Sequence, residues 1–286
     1  MARHIETPTY KYMSYGAGVQ STAMLGMSAL GLYNVPRVDL AIFSDTQREP
    51  QWVYDTMTHM QEWLKPHGIK LITATAGDIG QKIFDRIDGK VKSAPAIPAF
   101  VKNADGTTGI LRRHCTRDYK IRPIERALRE FMGYGPRKQK KDETAWGLIG
   151  ISIDEVERMK DNPTPWIENK FPLIDARINR EDCVRIIEEM GLPRPLKSSC
   201  YFCPYHSNHY WRSMQNEFPE EFQKCIDFDE RIRNMKNAGV EGQVFLHPSC
   251  VPLSEADFAG KKNDIDGQFD MFPDMFKNDC EGMCGV

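Results

Sequence analysis

The chain has 286 residues, 41% hydrophobic and 27% charged, with a formal net charge of −2. That length suits one large α/β domain or a core with a smaller appendage, and that charge excludes a uniformly basic nucleic-acid binder. No apolar run approaches the roughly 18 residues of a membrane span. The opening MARHIETPTYKYM lacks the apolar core of a signal peptide, so a cytoplasmic protein without a membrane partner is expected.

In chain order, TYKYMSYGAG reads as a strand ending in a Gly-rich turn, and QSTAMLGMSALG as a helix stopped by Gly31. RVDLAIFSDT is a second strand. After Pro50, Val53, Met57, Met60 and Leu64 share one helix face, and Pro66 and Gly68 end that helix. IKLITAT is a third strand and GDIGQKIFDRI a weaker helix. Residues 90–112 read as an irregular loop of a length seen in lids and substrate loops. RPIERALREFM follows as a helix with Pro123 in its first turn, then TAWGLIGIS as a fourth strand. NREDCVRIIEEMG is a helix capped by Asn179 and stopped by Gly191. Strands alternating with helices predict an α/β fold with a doubly wound, mainly parallel sheet and ligands at the carboxyl ends of its strands. Past residue 195 the pattern changes to helices interrupted by a proline, then an acidic tail of low periodicity. The expected organisation is therefore a 1–195 core and a 196–286 Cys-bearing C-terminal helical subdomain and tail.

Charge is unevenly placed. Leu111–Lys141 carries eleven Lys/Arg against three Asp/Glu, and Pro252–Val286 three against eight. The basic stretch can bind phosphates or lie as a solvated helix face. Eight cysteines without a secretory signal favour metal or redox chemistry over a disulfide framework. Cys183 and Cys225 sit inside expected helices, where core packing is the simpler reading.

Two stretches carry chemistry. SYGAGVQST at 14–22 joins a strand to a helix. Gly16, Ala17 and Gly18 allow close backbone approach, the helix start offers N–H groups, and Ser14, Ser21 and Thr22 offer hydroxyls, which together suit a phosphate. It is not the lysine-bearing P-loop, and Ser21 breaks the dinucleotide GxGxxG. The second stretch is SSCYFCPYHSNHYW at 198–211, with Cys200, Cys203, His206 and His209 at repeated spacing. Four ligands there would crowd one tetrahedral ion, so the cysteine pair supplies two ligands and other segments the rest. An iron–sulfur site, a zinc site, a redox dithiol and plain packing all stay open, and both histidines read as packed or surface residues.

SYGAGVQST resembles the PP-loop of adenine-nucleotide alpha-hydrolases, in the branch of phosphoadenosine-phosphosulfate (PAPS) reductase-like proteins. FSDTQREP at 43–50, HCTRDYKIRPIERAL at 114–128, AWGLIGISIDEVER at 145–158, CYFC and the terminal CEGMC are similar to that branch's motifs, in the same order. Gln20 stands where the PP-loop usually has Asp, and Thr116 where the reductases have a second adjacent cysteine, so the likeness is to a divergent member. The resemblance implies a Rossmann-like PP-loop fold. It implies an enzyme of sulfur chemistry, either an ATP-dependent sulfurtransferase acting on a nucleobase or other nucleic-acid acceptor, or a sulfonucleotide reductase. It implies an adenine nucleotide with magnesium on Ser14, Tyr15, Gly16, Ala17, Gly18, Gln20, Ser21, Thr22 and Asp45. Substrate contacts would come from Arg112, Arg113, Arg117, Asp154 and Arg158. Lys120, Cys280 and Cys284 would be catalytic. A 4Fe-4S cluster would sit on Cys115, Cys200 and Cys203, its fourth position open or closed by Cys280, Cys284 or His206, with zinc as the alternative metal. A sulfur donor or a thioredoxin-like reductant would be the partner. The rival expectation is a nucleic-acid-binding or regulatory module with a degenerate PP-loop and a structural zinc.

Overall fold

The computed structural model describes residues 4–92, 97–135 and 142–259. In chain order these form β1 (Tyr10–Tyr15), α1 (Val19–Leu30), β2 (Leu40–Asp45), α2 (Gln51–Leu64), β3 (Lys70–Thr75), α3 (Ile79–Ile87), β4 (Phe100–Lys102), β5 (Thr108–Ile110) and α4 (Arg122–Phe131). Then come β6 (Ala145–Ile149), β7 (Ile167–Lys170), α5 (Pro172–Asp175), α6 (Arg180–Glu189), α7 (Asn208–Glu217), α8 (Pro219–Arg231) and β8 (Gln243–Phe245). The chain divides into two compact units. Among the described residues, the first comprises those up to Gly77 and Thr116–Ser198, and the second Asp78–Cys115 and residues 199–259. The expected linear division at 195 differs in one respect: the stretch from Asp78 to Cys115 groups with the C-terminal part.

The first unit holds a parallel five-stranded sheet in the order β3-β2-β1-β6-β7. This is the α/β architecture that strand–helix alternation requires. The pleat sends alternate side chains to opposite faces. Met13, Ala41 and Phe43 meet Met24 of α1, Met57 of α2 and Ile186 of α6 on one face. Tyr12, Leu40 and Ile42 meet Ile124 and Leu128 of α4 on the other. The buried residues of α2 are Val53, Met57, Met60 and Leu64, the face expected from their spacing. Gly31 ends α1 at φ 71, a left-handed conformation that glycine adopts without a Cβ clash. At the start of α6, Asn179 Oδ1 accepts the Asp182 N–H at 2.8 Å and Asp182 Oδ2 accepts the Asn179 N–H at 3.1 Å, a reciprocal cap. The edge strand β7, IENK, was not expected; its polar alternation carries little strand signal.

The second unit holds a small antiparallel sheet in the order β5-β4-β8. The loop expected over 90–112 thus contains a hairpin. Gly106, at φ 85, closes it by donating its N–H to the Asn103 carbonyl at 3.0 Å. Pro219 separates α7 from α8 and opens the latter. Their core contains Trp211, Phe222, Cys225 and Phe228, with Phe202 stacked on Phe228 at 4.0 Å. Buried Asp229 accepts the Leu246 N–H at 2.7 Å and the Leu253 N–H at 3.1 Å, and pairs with Arg233. One carboxylate therefore fixes the segment after β8. Among the described residues no helix is long and apolar enough to cross a membrane.

Candidate functional site

The order β3-β2-β1-β6-β7 reverses direction between β1 and β6. In open α/β sheets, ligands bind outside the carboxyl ends of strands at such a reversal. The turn at Gly16–Gly18 lies at that end of β1. Ala17 has φ 57, a left-handed conformation uncommon for a residue with a Cβ. A Cβ on Gly18 would stand 3.0 Å from Ser198 Oγ, so a side chain here would enter the narrow space between the turn and Ser198. The Gly18 N–H donates to Ser21 Oγ at 3.2 Å, and Ser21 Oγ donates back to the Gly18 carbonyl at 3.1 Å. The first helical bond of α1, from the Thr22 N–H to the Gly18 carbonyl, spans 2.9 Å. On the β6 side, a Cβ on Gly150 would lie 3.0 Å from the Ser21 nitrogen. Glycine there lets the strand end meet the helix start.

A small open cleft lies beside this turn at Gly16; Ser14, Ser44, Glu49, Lys120 and Ser198 help to line it, with Tyr15, Phe43 and Ile124. By strand parity Ser14 and Ser44 continue the rows of Tyr12 and of Leu40 and Ile42, which pack on α4. Their hydroxyls therefore stand at the cleft among the apolar side chains of Tyr15, Phe43 and Ile124. Ser44 Oγ donates to the Tyr119 carbonyl at 2.6 Å, which ties β2 to the π-helical turn Arg117–Ile121 that carries Lys120. Glu49 is buried and accepts from Thr46 Oγ1 at 2.9 Å. Ser44, Glu49 and Ser198 were missed in the sequence. Ser44 had a signal, a polar residue on the inward row of an apolar strand. Ser198 opens the quoted stretch SSCYFCPYHSNHYW, yet nothing in that stretch aimed it at the cleft, because its place depends on chain folding back over a long separation.

Other expected nucleotide residues are engaged within the protein. Tyr15 Oη and Thr22 Oγ1 bond each other at 3.0 Å, and burial pushes the Tyr15 phenol well above its ordinary value. Gln20 donates to Glu155 Oε2 at 3.2 Å and accepts from Arg180 Nη1 at 3.1 Å. Arg158 pairs with Glu155 at 2.7 Å and not with Asp154, whose carboxylate accepts the Arg180 N–H at 3.1 Å. Gln20 thus anchors α1 to the segment after β6 and to α6. Asp45 accepts the Gln47 N–H at 2.7 Å and the Tyr54 hydroxyl at 3.0 Å, which closes a turn at the end of β2.

The thiol stretch lies in the second unit. The Cys203 N–H donates to the Cys200 carbonyl at 3.0 Å, so the CYFC segment is a tight turn with both residues partly exposed. His206 is buried, its Nε2 is 3.1 Å from the Cys200 carbonyl oxygen, and its ring stacks on Tyr210 at 4.0 Å. It braces the turn as a packed residue; His209 is exposed on α7. Cys115 belongs to the same unit and is partly exposed. The donor set matches thiolate chemistry in kind. Among the described residues, however, no three His, Cys, Asp or Glu side chains are arranged to hold a metal, so the side chains as placed supply a two-thiol turn and not a closed ligand set. The Arg113 guanidinium lies 5.7 Å from the Tyr205 ring centre, while Arg112 and Arg117 are exposed. Cys183 and Cys225 are fully buried; burial pushes the Cys183 thiol up to about 12 and Cys225 well above its usual range, as expected for packing residues. Cys280 and Cys284 lie outside the described residues.

The fold shown is an α/β fold with a parallel sheet. No protein-family model matches the chain, and no curated protein matches it.

Proposed function

We propose that the chain is an adenine-nucleotide-dependent enzyme of sulfur chemistry on a PP-loop fold, either a sulfurtransferase that thiolates an acceptor or a reductase of a sulfonucleotide. The observation that carries this reading is the Gly16–Ala17–Gly18 turn at the sheet's reversal point, beside a cleft that Lys120 and Glu49 help to line. The first-turn amides of α1 and the positive end of its dipole favour a phosphate there. Lys120 lines the same cleft, where an ammonium stabilises charge developing on a departing pyrophosphate. A bound adenine nucleotide supplies the activated phosphoryl or adenylyl group. Ser14 and Ser198 then orient it by hydrogen bonds, and the glycines admit it by having no Cβ.

In the same proposal Cys115, Cys200 and Cys203 would hold an iron–sulfur cluster, as the family resemblance implies, the turn of the pair supplying two thiols; as placed, the three do not form a closed ligand set. Cys280 or Cys284 serves as the thiol of the reductive form. Iron and acid-labile sulfide content of anaerobically purified protein tests the cluster. Matching iron and sulfide, lost in Cys115→Ser, supports it, and one zinc without sulfide rejects it. Pyrophosphate release with ATP, or sulfite release from a sulfonucleotide, tests the activity.

A second reading has its own observation. Gln20 is tied to Glu155 and Arg180, which suits nucleotide binding without hydrolysis. A regulatory or nucleic-acid-binding module with a structural zinc on the CYFC turn would fit that. Nucleic-acid affinity that falls steeply with salt, with no pyrophosphate released, would favour it.

A further inference from the structure

We propose that Ser249 is an activated nucleophile, with His247 as its base and Asn208 as the group that orients the base, and that it accepts the acyl group of a small activated ester. The three residues lie wholly within the second unit, and the proposal is independent of the nucleotide reading. In His247–Pro248–Ser249 the proline fixes its own φ, and the hydroxyl two residues on returns to the imidazole. Ser249 Oγ is 2.6 Å from His247 Nδ1, and His247 Nε2 is 3.0 Å from Asn208 Oδ1.

The tautomer follows from a third contact. The Ser249 backbone N–H also points at His247 Nδ1, at 3.3 Å. A backbone N–H can only donate, so Nδ1 carries no proton and is the acceptor. The ring hydrogen is therefore on Nε2, and Asn208 receives it through its carbonyl oxygen. The Ser249 hydroxyl must then donate to Nδ1, the arrangement in which a base can remove its proton. His247 is 5% exposed, whereas Ser249 is exposed: the base is shielded and the nucleophile is reachable. Burial lowers the His247 pKa, against the opposing pull of Asp229 and Asp257, which keeps the ring neutral and able to accept a proton. Nucleophile, base and orienting group in hydrogen-bonded series are the signature of covalent catalysis by an alcohol.

The step balances without a redox partner. The Oγ lone pair forms a bond to the ester carbonyl carbon, and the hydroxyl proton passes to Nδ1. The bond to the leaving alkoxide breaks, and that alkoxide departs with the proton. The product is an O-acyl serine and a free alcohol.

The test treats the full chain with 4-nitrophenyl acetate and follows acetylation of individual serines by peptide mass. Exposed Ser254 serves as the internal reference. Ser249 is expected to acetylate about 100-fold faster than Ser254, the lower range for a positioned general base. His247→Gln should remove most of that advantage, and Asn208→Asp, with a stronger acceptor behind the ring, should increase it. Equal rates at Ser249 and Ser254 in the unaltered protein would overturn the proposal, and that comparison does not depend on any variant folding. Undiminished labelling in a folded His247→Gln protein would overturn it as well.

Discussion

The two units build their candidate sites from different materials. In the first, backbone makes the site: a turn of small residues, a helix start and a strand end pressed together at Gly150. In the second, side chains do: a carboxylate at Asp229, a histidine bracing a two-cysteine turn, and a serine held by an imidazole. A backbone site tolerates exchange of its exposed side chains and fails when a Cβ intrudes. A side-chain site fails when a single partner is removed.

Removing the buried carboxylate should have the largest effect. Asp229→Ala leaves two buried amides and Arg233 without their shared acceptor. It should cost about 3–5 kcal/mol, seen as a lower midpoint in urea unfolding. A loss below about 1 kcal/mol, the worth of an ordinary exposed pair, would break the contrast between the units. Gly150→Ala comes next. Its Cβ would meet the Ser21 nitrogen at 3.0 Å and Cα at 3.1 Å, and backbone yields less readily than side chain, so about 1–3 kcal/mol should be lost. Asn179→Ala removes the acceptor at the start of α6 and should cost about 1 kcal/mol.

Acid sharpens the comparison further. His247 titrates below its ordinary 6.5 in the folded protein, so below that pH the unfolded chain binds the proton first. Stability should then fall as pH drops through 6.5 and continue down to the depressed folded value. His247→Gln should flatten that part of the profile. An unchanged slope would assign the pH dependence elsewhere.

The same contrast explains what could be read in advance. The first unit was legible because its elements declare themselves locally. Val53, Met57, Met60 and Leu64 mark a helix face, Gly31 marks a stop, and Asn179 marks a start. The Gly16–Gly18 turn was legible as a strand-to-helix junction. In the second unit the helices were legible, GDIGQKIFDRI as α3 and the pair parted by a proline as α7 and α8, but the sheet was not, because β4 pairs with β8 across more than a hundred residues, Phe100 opposite Phe245, and each strand is three residues long. No window of sequence contains that pairing. Within the candidate sites, residue type was a poorer guide than position. Ser21, Thr22, Gln20 and Asp45 have the chemistry of ligand contacts, yet all are engaged inside the protein. Glu49 and Ser198 reach the cleft although the stretches that contain them, FSDTQREP and SSCYFCPYHSNHYW, had pointed to other residues. The cysteine pair stood out by its spacing, whereas Cys115 was named only through the family resemblance, since whether it joins them depends on how distant segments meet.

The central claim is that the Gly16–Gly18 turn holds the phosphates of an adenine nucleotide. Calorimetric titration of the full chain with ATP, set beside Gly18→Val, tests it most directly. Residue 18 has φ −102, which valine adopts without strain, and the neighbour its Cβ meets is the Ser198 hydroxyl rather than backbone. The variant should therefore fold and fill the cradle. Saturable one-to-one binding that Gly18→Val abolishes is the predicted result. No binding to the unaltered chain, or equal binding to a folded Gly18→Val protein, would contradict the account.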